Sequence, residues 1–219
     1  MATDESPATS MREIIRVLAR RWQKKFDESG PVLARYFATK TRDRTDSALR
    51  SALKKAGIAI EWKLTRAMNN VMQATVGQQV SLITNLSEKA LTDIEGSVLR
   101  SVAAGGDRSL LMKELQHQHG MARKRASLIA KDQNNKANSM MERVRQMEIG
   151  AEAIWCHSHG GKYPRPEHVK WGAEKKIYDP NIGMWSEVSK KYVWPGSEIN
   201  CGCFAKTIFP GITKMKKAA

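Results

Sequence analysis

Up to Gly150 the apolar residues of this chain fall mostly at the three- and four-residue intervals of an amphipathic helix, and beyond it they do not. Ile14, Leu18 and Trp22 are spaced four apart and share one helix face. Ser10-Met11-Arg12-Glu13 has the form of a capping box in front of them, and Ser29-Gly30-Pro31 predicts the stop. Val32, Leu33, Tyr36 and Phe37 open a second segment. Leu49, Leu53, Ile60, Leu64 and Val71 then keep one face, continued by Val76, Val80, Ile83, Leu91, Ile94, Val98 and Val102. Two or three long helices are expected between Asp43 and Val102, with Gly77 and the Asn85 to Ser87 stretch as points of interruption.

Gly105-Gly106 closes that region, and Asp107 suits the N-cap of a short helix that carries Leu110, Leu111 and Leu115 and ends at Gly120. A further helix from Met121 to about Met147 is expected to pack through Ala126, Ile129, Met140, Val144 and Met147, and Gly150 ends it. Past that point Gly, Pro and aromatic residues come every few positions. Short strands are predicted at Ala153 to Cys156, Lys175 to Tyr178, Lys191 to Trp194 and Cys203 to Ile208. The expected fold class is α+β: a long helical N-terminal region followed by a compact C-terminal domain of helices plus a small antiparallel sheet. The division expected is 1–104, 105–210 and a basic tail at 211–219.

Charge changes this picture more than composition does. The 219 residues carry 37 Lys and Arg against 22 Asp and Glu, a formal charge of +15. Such an excess favours polyanions, above all the phosphates of nucleic acid. The candidate contacts are Arg16, Arg20, Arg21, Lys24 and Lys25, then Arg123, Lys124 and Arg125, then Lys214, Lys216 and Lys217. The plainer alternative for each is a solvated helix face. No run of about 18 apolar residues exists, so no membrane span is expected. Nor do residues 1–10 hold the apolar stretch of a secretory signal, so a reducing compartment is expected.

Residues with chemistry to offer are concentrated between Trp155 and Cys203: all three cysteines, His157, His159 and His168, and four tryptophans. Cys201 and Cys203 are too close in sequence to favour a disulfide with each other. Two readings of the cluster stand. In one, Cys201, Cys203 and His168 hold zinc, with Cys156, His157 or His159 as a fourth ligand, although one intervening residue is tighter than the usual two to four. In the other, the cysteines are small buried residues and His168 bonds a turn. A metal-dependent nuclease is the enzymatic alternative, but Asp132, Glu167, Asp179 and Glu187 form no paired carboxylate arrangement, so no catalysis is expected.

Arg125-Ala126-Ser127-Leu128-Ile129-Ala130-Lys131-Asp132-Gln133 resembles the R-A-x-L-I-A-R-D-Q helix of the phage Mu F-like minor head proteins. The later elements of that family follow in order: Arg143 and Gly150 at the helix end, Trp155 on a strand, Arg165-Pro166-Glu167-His168, and the close Pro195-Gly196-Ser197-Glu198-Ile199-Asn200-Cys201-Gly202-Cys203. The resemblance covers roughly Asp107 to Pro210. Two departures stand out. His159-Gly160-Gly161-Lys162-Tyr163 lacks the acidic residue that commonly precedes the R-P-x-H arginine, and Gly202 replaces an arginine common between the cysteines.

The resemblance implies a minor head component of a tailed phage, present in the virion head and in the host cytoplasm during assembly. It implies partnership with the portal protein or major capsid protein and with packaged double-stranded DNA, in head morphogenesis, DNA packaging or ejection. No resident cofactor is implied, zinc being the one the cluster itself suggests. In some relatives a toxin domain follows this module; only eight residues follow Gly211, so none is expected here.

Overall fold

The computed structural model describes residues 7–104, 108–159 and 163–209. Three long helices come first, α1 (Pro7–Lys55), α2 (Arg66–Ala103) and α3 (Arg108–Glu148). Then follow β1 (Glu152–Cys156), α4 (Pro166–Ala173), β2 (Ile177–Tyr178), β3 (Met184–Ser186), β4 (Lys191–Val193) and β5 (Phe204–Ile208). The architecture is α+β, with long N-terminal helices and a small antiparallel sheet toward the C-terminal end.

Several expected stops are not stops. Ser10 lies inside α1, which already opens at Pro7, where the fixed φ of proline suits a first helical position. Gly30 and Pro31 are also internal to α1, and Gly77 and Ser87 are internal to α2. Gly120 is internal to α3, while Gly105, Gly106 and Asp107 lie outside the described residues. A glycine ends a helix by turning left-handed, and among the described glycines at helix ends only Gly57 (φ +80°) and Gly150 (φ +62°) do so. Both make the paired bonds of a Schellman close. The amides of Ile58 and Gly57 reach the carbonyls of Leu53 (2.9 Å) and Lys54 (3.1 Å). Those of Ala151 and Gly150 reach Gln146 (2.9 Å) and Met147 (3.2 Å).

The expected run from Leu49 to Val71 is therefore broken by the non-helical 56–65 segment, which leaves Leu64 exposed. Thr65 caps α2: its Oγ1 accepts the amide of Met68 at 3.1 Å.

The chain divides into two units, one holding the residues up to Arg35 with Val76–Ile129, the other Tyr36–Thr75 with the chain from Ala130. In the first, the predicted α1 face is the wrong one. Ile14, Leu18 and Trp22 are 54%, 47% and 50% exposed, whereas Ile15, Gly30 and Ala34 are buried. Ser87 Oγ donates to Gln23 Oε1 (3.2 Å), and Ile83 backs onto Gly30, so a small, partly polar seam does the packing.

In the second unit the buried row of α3 is Gln133, Ala137, Met141 and Arg145, one position beyond the expected Met140 and Val144, and Met147 is exposed. Arg145 is the surprise: its guanidinium bonds Asp46 through Nε (2.7 Å) and Nη2 (2.8 Å), Glu148 (2.7 Å) and the carbonyl of Lys63 (3.0 Å). It also lies over the Trp62 ring, 4.8 Å from the centroid.

The sheet of this unit has the order β2-β1-β5, all antiparallel, with Ala153 opposite Tyr178 and Trp155 opposite Ala205. β3 and β4 form a separate hairpin. All four predicted strands are present; β3 and the eight-residue α4 were not anticipated. The core gathers Ala153, Trp155, Trp171, Tyr178, Val193, Cys201 and Cys203, with Met184, Trp194 and Ala205 at its margin.

Candidate functional site

Trp155 sits at the middle of this core, because alternation along β1 sends Ala153 and Trp155 to one face. On that face α4 begins. Arg165 is its extended N-cap residue, Pro166 occupies the first turn, and one residue past Glu167 the His168 side chain is 2% exposed. Its ring meets Trp155 edge-on, centroids 4.8 Å apart, and stacks on Trp171 at 5.4 Å. Cys201 and Cys203 arrive from the extended chain just before β5. Cys201 Sγ lies 3.5 Å, and Cys203 Sγ 3.8 Å, from His168 Nδ1, and the three donor atoms lie within 4.8 Å of one another.

The opposite nitrogen of the ring is buried without a hydrogen bond of good geometry among the described residues and faces a carboxylate. His168 Nε2 lies 3.4 Å from Glu198 Oε2, a carboxylate nearly covered by protein. Arg165 Nε approaches the same oxygen at 3.1 Å, and Lys191 approaches Oε1 at 3.7 Å. Arg165 additionally donates to the carbonyl of Ile199 at 3.1 Å. Glu198 thus ties the R-P-x-H element to the closing segment, a role its sequence position alone did not disclose.

The two thiols do not behave alike. Contact with Cys203, then with His168 and nearby backbone, holds the Cys201 thiol down at about 4 against the cost of burial. The thiol of Cys203 is pushed up, first by its bond with Cys201, then by burial and the neighbouring negative charge. Trp155 Nε1 is buried with no partner of good geometry, yet stands close enough to Cys203 to favour its thiolate.

Cys156 is not brought to this group. It follows Trp155 in the strand and so faces the other side, where burial pushes its thiol up and the charges of Lys206, Glu142 and Lys175 act on it. His157 and His159 pair with each other, Nδ1 to Nδ1 at 3.3 Å.

The remaining motif residues hold the closing segment against α3. Asp132 Oδ1 accepts the amide of Asn200 at 2.6 Å, while its other oxygen pairs with Lys136 at 2.7 Å. Asn135 Nδ2 donates to the carbonyl of Cys201 at 3.0 Å, and Gln133 is buried. Gly196 follows Pro195 at φ +80°, and a Cβ there would meet the Asn135 carbonyl at 3.1 Å and Ser139 at 3.3 Å. Arg143 donates to the carbonyl of Pro180 (2.9 Å) and lies 3.6 Å above Trp194. Glu167 clamps the β3–β4 hairpin, accepting from Ser186 Oγ (2.7 Å) and the amides of Glu187 (2.8 Å) and Val188 (3.2 Å). Gly202 has a local reason too: a Cβ would come within 2.7 Å of Ser158 Oγ.

The basic candidates stand elsewhere. Arg16, Arg20, Arg21, Lys24 and Lys25 on α1 and Arg123, Lys124 and Arg125 on α3 are all exposed and all belong to the first unit. Lys25 lies over the Trp22 ring at 4.9 Å and Lys24 is 3.9 Å from Glu28. Lys214, Lys216 and Lys217 lie outside the described residues.

Among known proteins, the chain is 22% identical over 199 residues to an uncharacterised protein of Haemophilus influenzae. That alignment takes in 90% of this chain but 43% of the relative, so the chain spans less than half of the relative's length. No solved structure matches it. The family model described as "Phage Mu protein F like protein" matches residues 92–206, which is more than half the chain and contains every motif residue placed above. With α3, the strand of Trp155, the Arg165–His168 element and the cysteine close all inside that match, the chain belongs to the phage Mu protein F like family of phage head proteins.

Proposed function

We propose that this chain is a minor head protein that associates with the portal or procapsid and with packaged DNA, acting in head morphogenesis, DNA packaging or ejection. The family match over residues 92–206 carries the reading. The exposed row of Ile14, Leu18 and Trp22, on a helix upstream of the match, supports it. Large apolar side chains left outside a fold mark contact surfaces for another protein, and here they are interleaved with Arg16, Arg20 and Arg21. In this reading α1 supplies the docking surface and the matched region supplies a rigid module. The partners are the portal protein or the major capsid protein, and the location is the virion head after assembly in the host cytoplasm. The protein has no chemistry to perform. A nuclease has less support, because the one grouping of metal-capable side chains among the described residues is buried, out of reach of a phosphodiester.

The test is co-purification of the full chain with the portal of the same phage. A triple variant, Ile14→Asp, Leu18→Asp and Trp22→Asp, alters only exposed positions and is expected to keep its helical circular dichroism. Portal capture is expected to fall at least tenfold, the loss of roughly 1.4 kcal/mol or more of binding. Undiminished capture would remove α1 from the interface, and capture by neither form would remove the portal.

A further inference from the structure

We infer that His168, Cys201 and Cys203 hold a zinc ion that pins α4 to the segment entering β5. The distances from the ring nitrogen to the two sulfurs are those a tetrahedral zinc requires. Zn–S bonds of about 2.3 Å and Zn–N bonds of about 2.0–2.1 Å place a sulfur and a nitrogen on one ion about 3.6 Å apart. The observed separations from His168 Nδ1 are 3.5 and 3.8 Å. A hydrogen-bonded thiol and imidazole explain one such contact; two thiols crowding one ring nitrogen are better explained by an ion between them.

The surroundings point the same way. A metal-bound histidine characteristically gives its other N–H to a carboxylate, which fixes the tautomer and raises the basicity of the ligating nitrogen. Glu198 is the carboxylate placed for that role: it lies 3.4 Å from His168 Nε2, which has no other partner among the described residues, and is itself held by Arg165 and Lys191. Trp155 Nε1, otherwise without a partner, gains an acceptor if the sulfur beside it is a zinc thiolate. Burial by Trp155 and Trp171 excludes competing solvent from the ligand side.

Among the described residues His168, Cys201 and Cys203 alone are grouped to ligate the ion. Cys156 faces the opposite side of β1, His157 Nδ1 pairs with His159, and Glu198 lies beside the far nitrogen of His168. The consequence is a cross-link across a core of few residues, in a region where short strands and one short helix bury little surface by themselves.

The experiment uses the full-length chain. Zinc is measured by plasma mass spectrometry after exhaustive dialysis, and the protein is then reloaded with Co²⁺ for its electronic spectrum. One zinc per chain is expected, with thiolate-to-cobalt charge-transfer bands and the intense visible bands of a tetrahedral site. Cys156→Ser and His157→Ala are expected to keep full zinc. Glu198→Gln, which leaves every ligand in place, is expected to weaken zinc roughly 10- to 100-fold in a chelator competition. Wild-type protein with no bound zinc, and weak octahedral cobalt absorption on reloading, would overturn the site. Loss of zinc in Cys156→Ser would overturn the ligand set.

Discussion

Arg145 illustrates how a charged residue can carry the packing of a helix. It is 1% exposed, two carboxylates and a carbonyl accept four hydrogen bonds from it, and an indole covers its face. Truncation would leave Asp46 and Glu148 as largely covered carboxylates without their cation. Arg145→Ala is expected to lower the unfolding free energy by about 3–5 kcal/mol, read as a shift of the urea midpoint. Arg145→Lys keeps the charge but loses the fork that binds Asp46 through two nitrogens, and should fall between the two. One turn earlier, Glu142 makes the opposite case. Burial raises its carboxyl to about 7, and its one polar contact shown is with Gln146 Nε2, at 3.5 Å. At low pH the group is neutral in both the folded and the unfolded chain and costs nothing. As pH rises past 4.5 the unfolded chain ionises first, so stability falls until about pH 7 and is lower by up to roughly 3 kcal/mol above it. Glu142→Gln should therefore match the parent near pH 4 and melt higher at pH 8. Equal melting temperatures at both pH values would show that Glu142 carries no such penalty.

The helices were legible as helices, but their ends and faces only in part: Gly150 terminates and Leu49 and Leu53 are buried as expected. Gly57 and Gly150 terminate, whereas Gly30, Gly77 and Gly120 do not, and residue identity cannot distinguish them because the difference is the sign of φ. Pro31 is a stronger signal and still misleads. The helix passes through it although proline offers no amide to the carbonyl of Asp27, a loss of about 3 kcal/mol that neighbouring packing must offset. The faces of Ile14, Leu18 and Trp22 and of Met140, Val144 and Met147 were misread for a related reason. The buried rows are built from Ala34, Ala38, Thr41 and Thr45 and from Gln133, Ala137, Met141 and Arg145, so an apolar periodicity finds the exposed side instead. The strands were easier, since aromatic and β-branched residues between Gly and Pro punctuation mark them well. In the cluster, residue type picked out His168, Cys201 and Cys203. The exclusion of Cys156 needed the alternation of β1, and the part played by Glu198 needed the tertiary fold that brings α4 beside the closing segment.

For the molecule as a whole, the question is whether a charge of +15 is a property of its surface or of its function. The eight described cations proposed to meet DNA are all exposed and belong to one unit, and of the ion pairs among them the one shown, Lys24 with Glu28, is at the edge of contact distance. Free, solvated cations are what counterion release requires: each phosphate neutralised should add about −0.9 to the slope of log K against log salt on duplex DNA. Fluorescence anisotropy with a duplex of arbitrary sequence, between about 50 and 200 mM salt, gives that slope directly. Replacing Arg16, Arg20, Arg21, Lys24 and Lys25 by Gln is expected to flatten it by as much as about 4.5 units and to weaken binding equally for every sequence tried. A slope unchanged by the five substitutions would move the contact to Arg123–Arg125 or to the C-terminal lysines. Retention that does not weaken with salt at all would mean that the charge keeps the protein soluble and does not grip DNA.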